Sequence, residues 1–176
     1  MSYAYDTIAD IIRLAEENNI SFGEVVLRYE LENYDRGEEA VIREIEHRLD
    51  IFEGSIQDGI DYAEKTASGM SGGQAAQLNG QAPRFMSDIA YKAMTYAIAV
   101  NEANAKMFRI VACPTAGSCG VMPGAVKAVA DHYKLDRATM VKGFLAASGI
   151  GNVVANRACV ALSLIHISEP TRQAEI

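Results

Sequence analysis

The stretch Cys113-Pro114-Thr115-Ala116-Gly117-Ser118-Cys119-Gly120-Val121-Met122-Pro123-Gly124 organises the rest of the 176-residue chain. Its prolines fix the backbone near both ends and its internal glycines permit left-handed conformations, so the segment does not continue a regular helix. The residues after Pro123 are good helix formers, and proline suits the first position of a helix. The sequence therefore predicts a shaped loop that ends on a helix N-terminus starting at Pro123.

Such a loop has two interpretations. Backbone N–H groups at a helix N-terminus, together with the hydroxyls of Thr115 and Ser118, would form a small anion site suited to a carboxylate or a phosphate. Glycine and proline also punctuate plain turns between helices, and a tight apolar turn explains the same residues. The spacing by itself favours the turn, and both interpretations remain open at this point.

A second irregular segment lies at residues 66–83 and contains Ser68-Gly69-Met70-Ser71-Gly72-Gly73. It combines small hydroxyl residues with flexible glycines and marks a boundary between an acidic helical front and the second half of the chain. As a linker it needs no further explanation. As a binding segment it would offer backbone N–H groups and serine hydroxyls, although it lacks the lysine of a P-loop.

Three segments together resemble a known family. Residues 109–120 closely resemble the signature loop of the iron-sulfur-dependent L-serine dehydratases, specifically their alpha subunit. Residues 68–73 resemble the SGxTGG segment of that family, with Ser71 in place of the usual threonine. Residues 147–152 and 156–158 resemble the stretch that leads to the family's first cluster cysteine. The three motifs occur in the family's order, and the resemblance runs from near residue 1 to about Ala161.

The resemblance implies an all-α fold, a multi-helix catalytic domain that is incomplete at its C-terminus. It implies a cytoplasmic lyase that converts L-serine to pyruvate and ammonia, with a [4Fe-4S] cluster as Lewis acid on the serine hydroxyl and an unidentified base for the α proton. L-serine, a beta subunit and a homo-oligomer are the implied partners. The residues predicted to bind the substrate are Ser68, Gly69, Ser71, Gly72, Gly73, Thr115, Ala116, Gly117 and Ser118.

The resemblance stops after Ala161. Residues 162–176 show neither the family's glycines nor a helix end, so we expect a foreign tail joined to one domain at residues 1–161. The family's cluster cysteines lie beyond this point, and none of Cys113, Cys119 and Cys159 matches one. Because such clusters need several spaced thiolates, we expect this chain not to hold the cluster and to be inactive alone.

Composition sets limits on these interpretations. With 49% hydrophobic residues the chain is long enough for one core, and no stretch suggests a transmembrane helix or a signal peptide. Residues 1–65 carry 17 acidic and 6 basic residues, whereas residues 66–176 carry 6 acidic and 10 basic residues. The acidic front argues against nucleic acid, and the second half suits a small anion. Three cysteines without a CxxC pair indicate reduced thiols in the cytosol.

The periodicity predicts a series of helices. Helices are expected at residues 3–19, from a Ser21–Glu24 capping box, and along the apolar stripe from Val41 to Ile60. Further helices are expected at 88–106 with Ser87 as cap, at 125–133, and after Asp136 as cap, the last interrupted at Gly149 and Gly151. Those two glycines indicate close approach of another backbone, from a helix crossing or a ligand. His47 and His132 are expected at the surface.

A cluster of three polar residues ends the apolar pattern near the signature loop. Asn101, Glu102 and Asn104 end an almost uncharged helix, so they must reach water or find partners. They form either a satisfied helix end or a shell that supports the loop.

Two rival functions remain from other classes. The first is a non-enzymatic helical module whose loop binds phosphate or a nucleotide. The second is a structural fragment that assembles through the apolar stripe of its third helix. Its members are Val41, Ile45, Leu49, Phe52, Ile56 and Ile60.

Overall fold

The computed structural model describes residues 2–34, 36–113 and 116–157, and these residues form helices and no strand. The fold is all-α, as the sequence predicted. The helices are α1 (Ile8–Asn18), α2 (Phe22–Asn33), α3 (Glu38–Asp61), α4 (Gln74–Leu78), α5 (Asp88–Ala105), α6 (Val121–Tyr133) and α7 (Arg137–Arg157). Cys159 and the predicted tail at 162–176 lie outside the described residues.

The chain divides into two compact units. The first contains residues 2–34, 36–38 and 142–157. Its core includes Ile11 of α1, Val25 of α2 and Phe144 of α7, all buried. Gly23 allows α2 to approach the backbone of α7, because a Cβ there would lie 2.5 Å from the carbonyl oxygen of Lys142. A side chain at this crossing would therefore separate the two helices.

The second unit contains residues 39–113 and 116–141 and holds every described residue that the sequence predicts to bind substrate. Segment 66–83 lies inside it. A cluster of buried residues forms part of its core and joins α3, α4, α5 and the end of the signature loop. Its members are Ile56, Ala75, Ala99, Val100 and Cys119.

Helix α5 approaches two neighbours closely in the second unit. A Cβ on Gly59 of α3 would overlap the carbonyl oxygen of Ala99, and one on Gly124 of α6 would lie 2.7 Å from that of Ala93. Small residues at such crossings let the backbones come together, so α5 is fixed against both α3 and α6. This makes α5 the rigid reference for the loops at its end.

The apolar stripe of α3 is part of the core. Ile45, Leu49, Phe52 and Ile56 are 6%, 1%, 2% and 5% exposed. Because four of its six members are already buried within the chain, most of the stripe is not open to a partner. Assembly through this stripe, one of the rival functions, therefore does not fit the structure.

Several helix signals are confirmed. The side chains of Ser21 and Ser87 accept hydrogen bonds from the N–H groups of Glu24 and Ala90, and cap α2 and α5. Asp136 accepts from Thr139 N–H at 2.8 Å at the start of α7. Each short polar side chain replaces an intrahelical partner that the first turn lacks.

Two predicted helix starts were wrong. Helix α1 begins at Ile8 rather than residue 3, because Thr7 and Asp10 form a capping box there. Helix α6 begins at Val121, so Pro123 is its third residue rather than its first. Gly120 already has right-handed helical angles, φ −85° and ψ −28°. Proline is tolerated at the third position because N–H groups of the first turn need no intrahelical acceptor.

The predicted interruption of α7 was also wrong. The helix is continuous through Gly149 and Gly151 to Arg157. A Cβ on Gly149 would overlap the Val26 side chain, whereas one on Gly151 would meet open space. Gly149 therefore serves a crossing of α7 with α2, and what approaches it is a side chain rather than a backbone.

Helix α7 corrects a further expectation. Among the described residues it is the one helix whose length and composition would allow it to cross a membrane, with a mean hydropathy of 1.3. The sequence was expected to contain no such stretch. Core helices of soluble proteins meet the same criterion, so length and composition alone do not assign α7 to a membrane.

Candidate functional site

The C-terminal end of α5 carries three polar side chains, directly after the uncharged residues 93–100. Asn101, Glu102 and Asn104 lie within one turn, which spans about 5.4 Å of helix axis. Glu102 is only 3% exposed. Its carboxylate accepts hydrogen bonds from two consecutive backbone groups, Gly73 N–H at 2.9 Å and Gln74 N–H at 2.8 Å. The end of segment 68–73 is thus bonded directly to α5.

The same helix end also bonds to the signature loop. Asn104 Nδ2 donates to the carbonyl oxygen of Ala116 at 2.9 Å. The thiol of Cys119 donates to Asn101 Oδ1 at 3.7 Å, a normal length for sulfur. Of the two alternatives for these polar residues, the shell that supports the loop is the one observed, and it also supports segment 68–73.

The signature loop leads into α6 as a sequence of turns. The hydroxyl of Ser118 donates to the carbonyl oxygen of Cys113 at 3.0 Å. Gly124 N–H donates to the carbonyl oxygen of Gly120 at 3.0 Å, and Pro123 has no N–H. Val121 N–H donates to the carbonyl oxygen of Ser118 at 3.4 Å, which leaves Met122 as the remaining N–H carrier of the first turn. No acidic side chain lies in this turn. The positive end of the α6 dipole is therefore not neutralised by a carboxylate of its own first turn.

Segment 68–73 forms a closed loop ahead of α4. Thr66 N–H donates to the carbonyl oxygen of Ser71 at 2.8 Å, and Thr66 Oγ1 lies 3.1 Å from Ser68 Oγ. Gly69, Gly72 and Gly73 have φ of 71°, 118° and 84°, the left-handed region that favours glycine. Ser68 is exposed, whereas Gly73 is buried on Glu102.

The predicted substrate residues are therefore linked through α5. Thr115 lies outside the described residues, as does Pro114. Ala116 and Gly117 are exposed and Ser118 is partly buried in the loop before α6. The amide of Gly73 already has an internal acceptor. The substrate role of the nine residues stays a prediction, and the structure adds Glu102 and Asn104 as the side chains that bond to Gly73 and Ala116.

Two of the three segments that resemble the family's motifs bond to one helix end, and most of the chain matches one family. A family model described as "Serine dehydratase alpha chain" matches residues 17–163. This chain belongs to the serine dehydratase alpha chain family.

Curated relatives agree with this family. The chain is 30% identical over 159 residues to "Probable L-serine dehydratase, alpha chain" of Bacillus subtilis (strain 168), covering 89% of this chain and 53% of that protein. It is 33% identical over 159 residues to "L-serine dehydratase, alpha chain" of Peptoniphilus asaccharolyticus, covering 89% of this chain and 54% of that protein. The chain thus spans about half the length of these relatives.

A longer relative matches over a smaller share of its length. "L-serine dehydratase 2" of Escherichia coli (strain K12) is 27% identical over 164 residues, which cover 86% of this chain and 34% of that protein.

The cysteines of this family member decide whether its described residues fit an iron-sulfur cluster. Burial, and secondarily the nearby Cys119, raise the pKa of Cys113 to about 11, although Arg48 opposes the shift. Burial also raises the pKa of Cys119, which is fully buried. Both thiols therefore favour the protonated form, whereas cluster ligation requires thiolates.

The described part of the chain contains no group of three or more His, Cys, Asp or Glu side chains arranged to hold a metal ion. Two protonated thiols do not supply the set that a cluster needs, so the described residues do not fit this group. No chemical step at a cluster is assigned to them.

A second polar region lies at the other half of α5 in this family member. Asp131 of α6 accepts hydrogen bonds from Tyr96 Oη at 2.7 Å and Lys127 Nζ at 2.6 Å, and Lys92 Nζ lies 3.3 Å away. Burial opposes ionisation of Asp131, but these donors lower its pKa below the ordinary value. Burial first, and then Asp131, raise the pKa of Tyr96.

Three cavities surround this second region. One of about 530 Å³ and one of about 420 Å³ are both lined by Glu53, Lys127 and Asp131. A third of about 450 Å³ is lined by Lys92 and Tyr96 among others. None of these three is lined by the predicted substrate residues. Sequence reasoning missed this region, because its members come from α3, α5 and α6 and form no motif along the chain.

The histidines occupy the positions that the sequence indicated. His47 and His132 are both exposed. His47 Nε2 lies 3.0 Å from Arg109 Nη2, four residues before the signature loop. Because a guanidinium only donates, Nε2 of His47 acts as the acceptor in this pair.

Proposed function

We propose that this chain contributes the substrate-binding site, here called the substrate seat, of an L-serine dehydratase, the enzyme that converts L-serine to pyruvate and ammonia. The observation that supports the proposal most directly is that one helix end bonds to both motif segments: Glu102 to Gly73 and Gln74, and Asn104 to Ala116. The family membership supports the substrate class.

In this proposal the carboxylate of L-serine binds at the first turn of α6. Met122 N–H is the candidate backbone donor, at a helix end with no acidic side chain in its first turn. The hydroxyl of Ser118 is the second candidate, and it would exchange its bond to the Cys113 carbonyl for one to the substrate. Removal of the α proton builds negative charge on the carboxylate, and fixed N–H donors stabilise charge that develops there. The loop would thus both bind the substrate and favour its deprotonation.

Segment 68–73 bonds to the same end of α5 as the signature loop, through Glu102 instead of Asn104. Its exposed serine, Ser68, and its partly buried serine, Ser71, would bind the polar groups of the substrate. Gly73 does not offer its N–H to the substrate, because Glu102 accepts it. This limits the substrate contacts of the segment to residues 68–72.

The described residues supply no cluster ligand set, so we propose that cleavage of the C–O bond needs groups from outside them. The chain alone would then bind L-serine without turning it over. A pairing with a beta chain is part of the proposal, since two relatives carry the name alpha chain. Light scattering of the chain alone and after coexpression with a serine dehydratase beta chain tests that pairing, with a self-associated chain as the opposing result.

The test of the substrate seat is calorimetric titration of the purified chain with L-serine, and in parallel with inorganic phosphate and ATP. Binding of L-serine that neither phosphate nor ATP displaces is the expected result. Preferential binding of phosphate or ATP would instead identify the anion-binding module, and no binding of any of the three would overturn both.

Ser118→Ala locates the seat. Loss of one hydrogen bond to a charged group is worth about 1.5–3 kcal/mol, so the dissociation constant of L-serine should rise at least about tenfold. Ser87→Ala is the matched control, because Ser87 caps α5 in the same unit and is remote in sequence from both motifs. An unchanged constant in Ser118→Ala would remove this residue from the seat.

The cluster has a separate test. Anaerobic reconstitution of the isolated chain with iron and sulfide should give no stoichiometric [4Fe-4S] absorption and no pyruvate. A stoichiometric spectrum would contradict the assignment of the ligands to groups outside the described residues.

A further inference from the structure

Glu102 is a charged group inside the core region of the second unit. It is 3% exposed, and an isolated carboxylate at such a position would lose most of its hydration. Its two oxygens each accept a backbone hydrogen bond, from Gly73 at 2.9 Å and Gln74 at 2.8 Å. Hydrogen bonds to an ionised acceptor are stronger than neutral ones, so this pair compensates much of the lost hydration.

The backbone around those two amides has little freedom to move elsewhere. A Cβ on Gly73 would lie 2.5 Å from the carbonyl oxygen of Ala63, and one on Gly72 would overlap that of Glu64. With the Thr66–Ser71 hydrogen bond, these contacts make residues 66–73 a closed loop that Glu102 holds at its C-terminal end. Glu102 thus fixes the C-terminal end of the loop that carries Ser68 and Ser71.

The same turn of α5 carries Asn104, which bonds to Ala116 of the signature loop. Glu102 and Asn104 are two residues apart on a helix, about 3 Å along its axis. One rigid element thus determines where both segments lie.

We infer that Glu102 is a positioning residue: its carboxylate holds segment 68–73 in register with the signature loop, so that both reach one bound substrate. This inference rests on the proposed function. It also places the substrate carboxylate on the signature-loop side, since the amides of Gly73 and Gln74 are occupied.

The decisive variant is Glu102→Gln. The amide keeps the shape of the side chain but offers one acceptor and one NH₂, so one of the two backbone N–H groups loses its acceptor. We expect the dissociation constant of L-serine to rise at least tenfold, measured by calorimetry at a temperature where the variant is folded by near-ultraviolet circular dichroism. Hydrogen exchange at Gly73 and Gln74 should accelerate at least tenfold.

Asp131→Asn is the matched control, because it makes the same carboxylate-to-amide change on a partly buried residue of the same unit. It should leave the L-serine constant within twofold and the exchange of Gly73 and Gln74 unchanged. If Glu102→Gln does not fold, Glu102→Asp replaces it: it keeps the charge but is one methylene shorter, and we expect a rise of about threefold to tenfold.

The outcomes separate the two proposals. Failure of the unmodified chain to bind L-serine overturns the proposed function. Binding by the unmodified chain, with the same constant in the folded Glu102 variant, overturns the positioning role and leaves the proposed function intact. Equal loss of binding in Glu102→Gln and Asp131→Asn would assign the effect to general destabilisation and likewise overturn the positioning role.

Discussion

Glu102 and Asp131 are two carboxylates beside the same helix, and they are satisfied in opposite ways. The carboxylate of Glu102 accepts hydrogen bonds from backbone N–H groups, those of Gly73 and Gln74. Asp131 accepts from side chains, namely those of Lys127, Tyr96 and Lys92. Side chains can rotate to other partners or to water, whereas backbone groups move only with their loop. The first carboxylate therefore determines the position of a chain segment, and the second links helices.

The surroundings differ in the same sense. The three cavities lie around Asp131 and the first half of α5, while both motif segments lie at its C-terminal end. These three cavities thus do not coincide with the residues that resemble the family's motifs. The candidate site at the C-terminal end of α5 is therefore supported by hydrogen-bond partners and not by these cavities.

The largest expected effect comes from removing the carboxylate that holds backbone groups. Glu102→Ala removes the acceptor of the buried Gly73 N–H and of the partly buried Gln74 N–H, and we expect the free energy of unfolding to fall by about 3 kcal/mol. Urea denaturation measures it. A loss below about 1 kcal/mol would mean that water replaces the carboxylate, and the contrast with Asp131 would then disappear.

A pair of glycine variants on α3 tests how firmly α5 is fixed. Gly59→Ala introduces a methyl group where the carbonyl of Ala99 lies, and overpacking of this kind costs about 1–3 kcal/mol. Gly54→Ala meets open space on the same helix, and should stabilise by about 0.5–1 kcal/mol because alanine loses less entropy. Thermal melts of the two variants should shift in opposite directions. Equal shifts would show that α3 moves away from α5 at little cost.

Asp131→Asn should destabilise less than Glu102→Ala, by about 1–2 kcal/mol at pH 7, because its side-chain donors can turn to water. The pH dependence carries the sign. Hydrogen bonds from Lys127 and Tyr96 outweigh burial and lower the pKa of Asp131 in the folded state. Its stabilising contribution is therefore present above the unfolded pKa of about 3.9 and is lost as pH falls through the lower folded value.

Urea denaturation of the unmodified chain and of Asp131→Asn between pH 7 and pH 3 checks this sign. The difference in stability should be constant near neutral pH and shrink below about pH 4. A difference that grows on acidification would contradict the lowered pKa of Asp131.

The smallest effect is expected from Tyr96→Phe, which deletes one hydrogen bond to Asp131 and keeps the ring. Lys92 Nζ lies 5.7 Å from the ring centroid, and this contact survives the change. We expect a loss of about 0.5–1.5 kcal/mol by urea denaturation, with Lys127 and Lys92 still bonded to Asp131. A loss of stability as large as that of Glu102→Ala would contradict the contrast between the two carboxylates, Glu102 and Asp131.

Local patterns predicted much of this fold. The apolar stripe from Val41 to Ile60 predicted α3, which is observed at Glu38–Asp61, and Ser87 predicted the start of α5. The prediction failed where two signals competed. A helix was predicted from residue 3, but the Thr7–Asp10 capping box starts α1 at Ile8. Gly149 and Gly151 were predicted to interrupt α7, which continues through both and packs against Val26 at Gly149. Helix starts and continuity depend on such competing terms.

The candidate site was predictable only in part. The resemblance to the family's motifs predicted residues 68–73 and 116–118 as candidate site residues. The position of Glu102 at the end of an apolar run predicted that its carboxylate needs partners. Those partners are 28 and 29 residues away in sequence, and no local pattern encodes a contact of that range. The Asp131 region joins three helices and was missed for the same reason.

Cys119 has a consequence for watching the signature loop at work. Its sulfur is fully enclosed in the core cluster and bonded to Asn101, so a thiol reagent reaches it only when the loop lifts away from α5. The rate at which Cys119 is labelled in the folded chain therefore measures how often the loop leaves α5. A ligand that binds the loop and holds it against α5 should slow this labelling. The native thiol of Cys119 would then report ligand occupancy without any introduced probe.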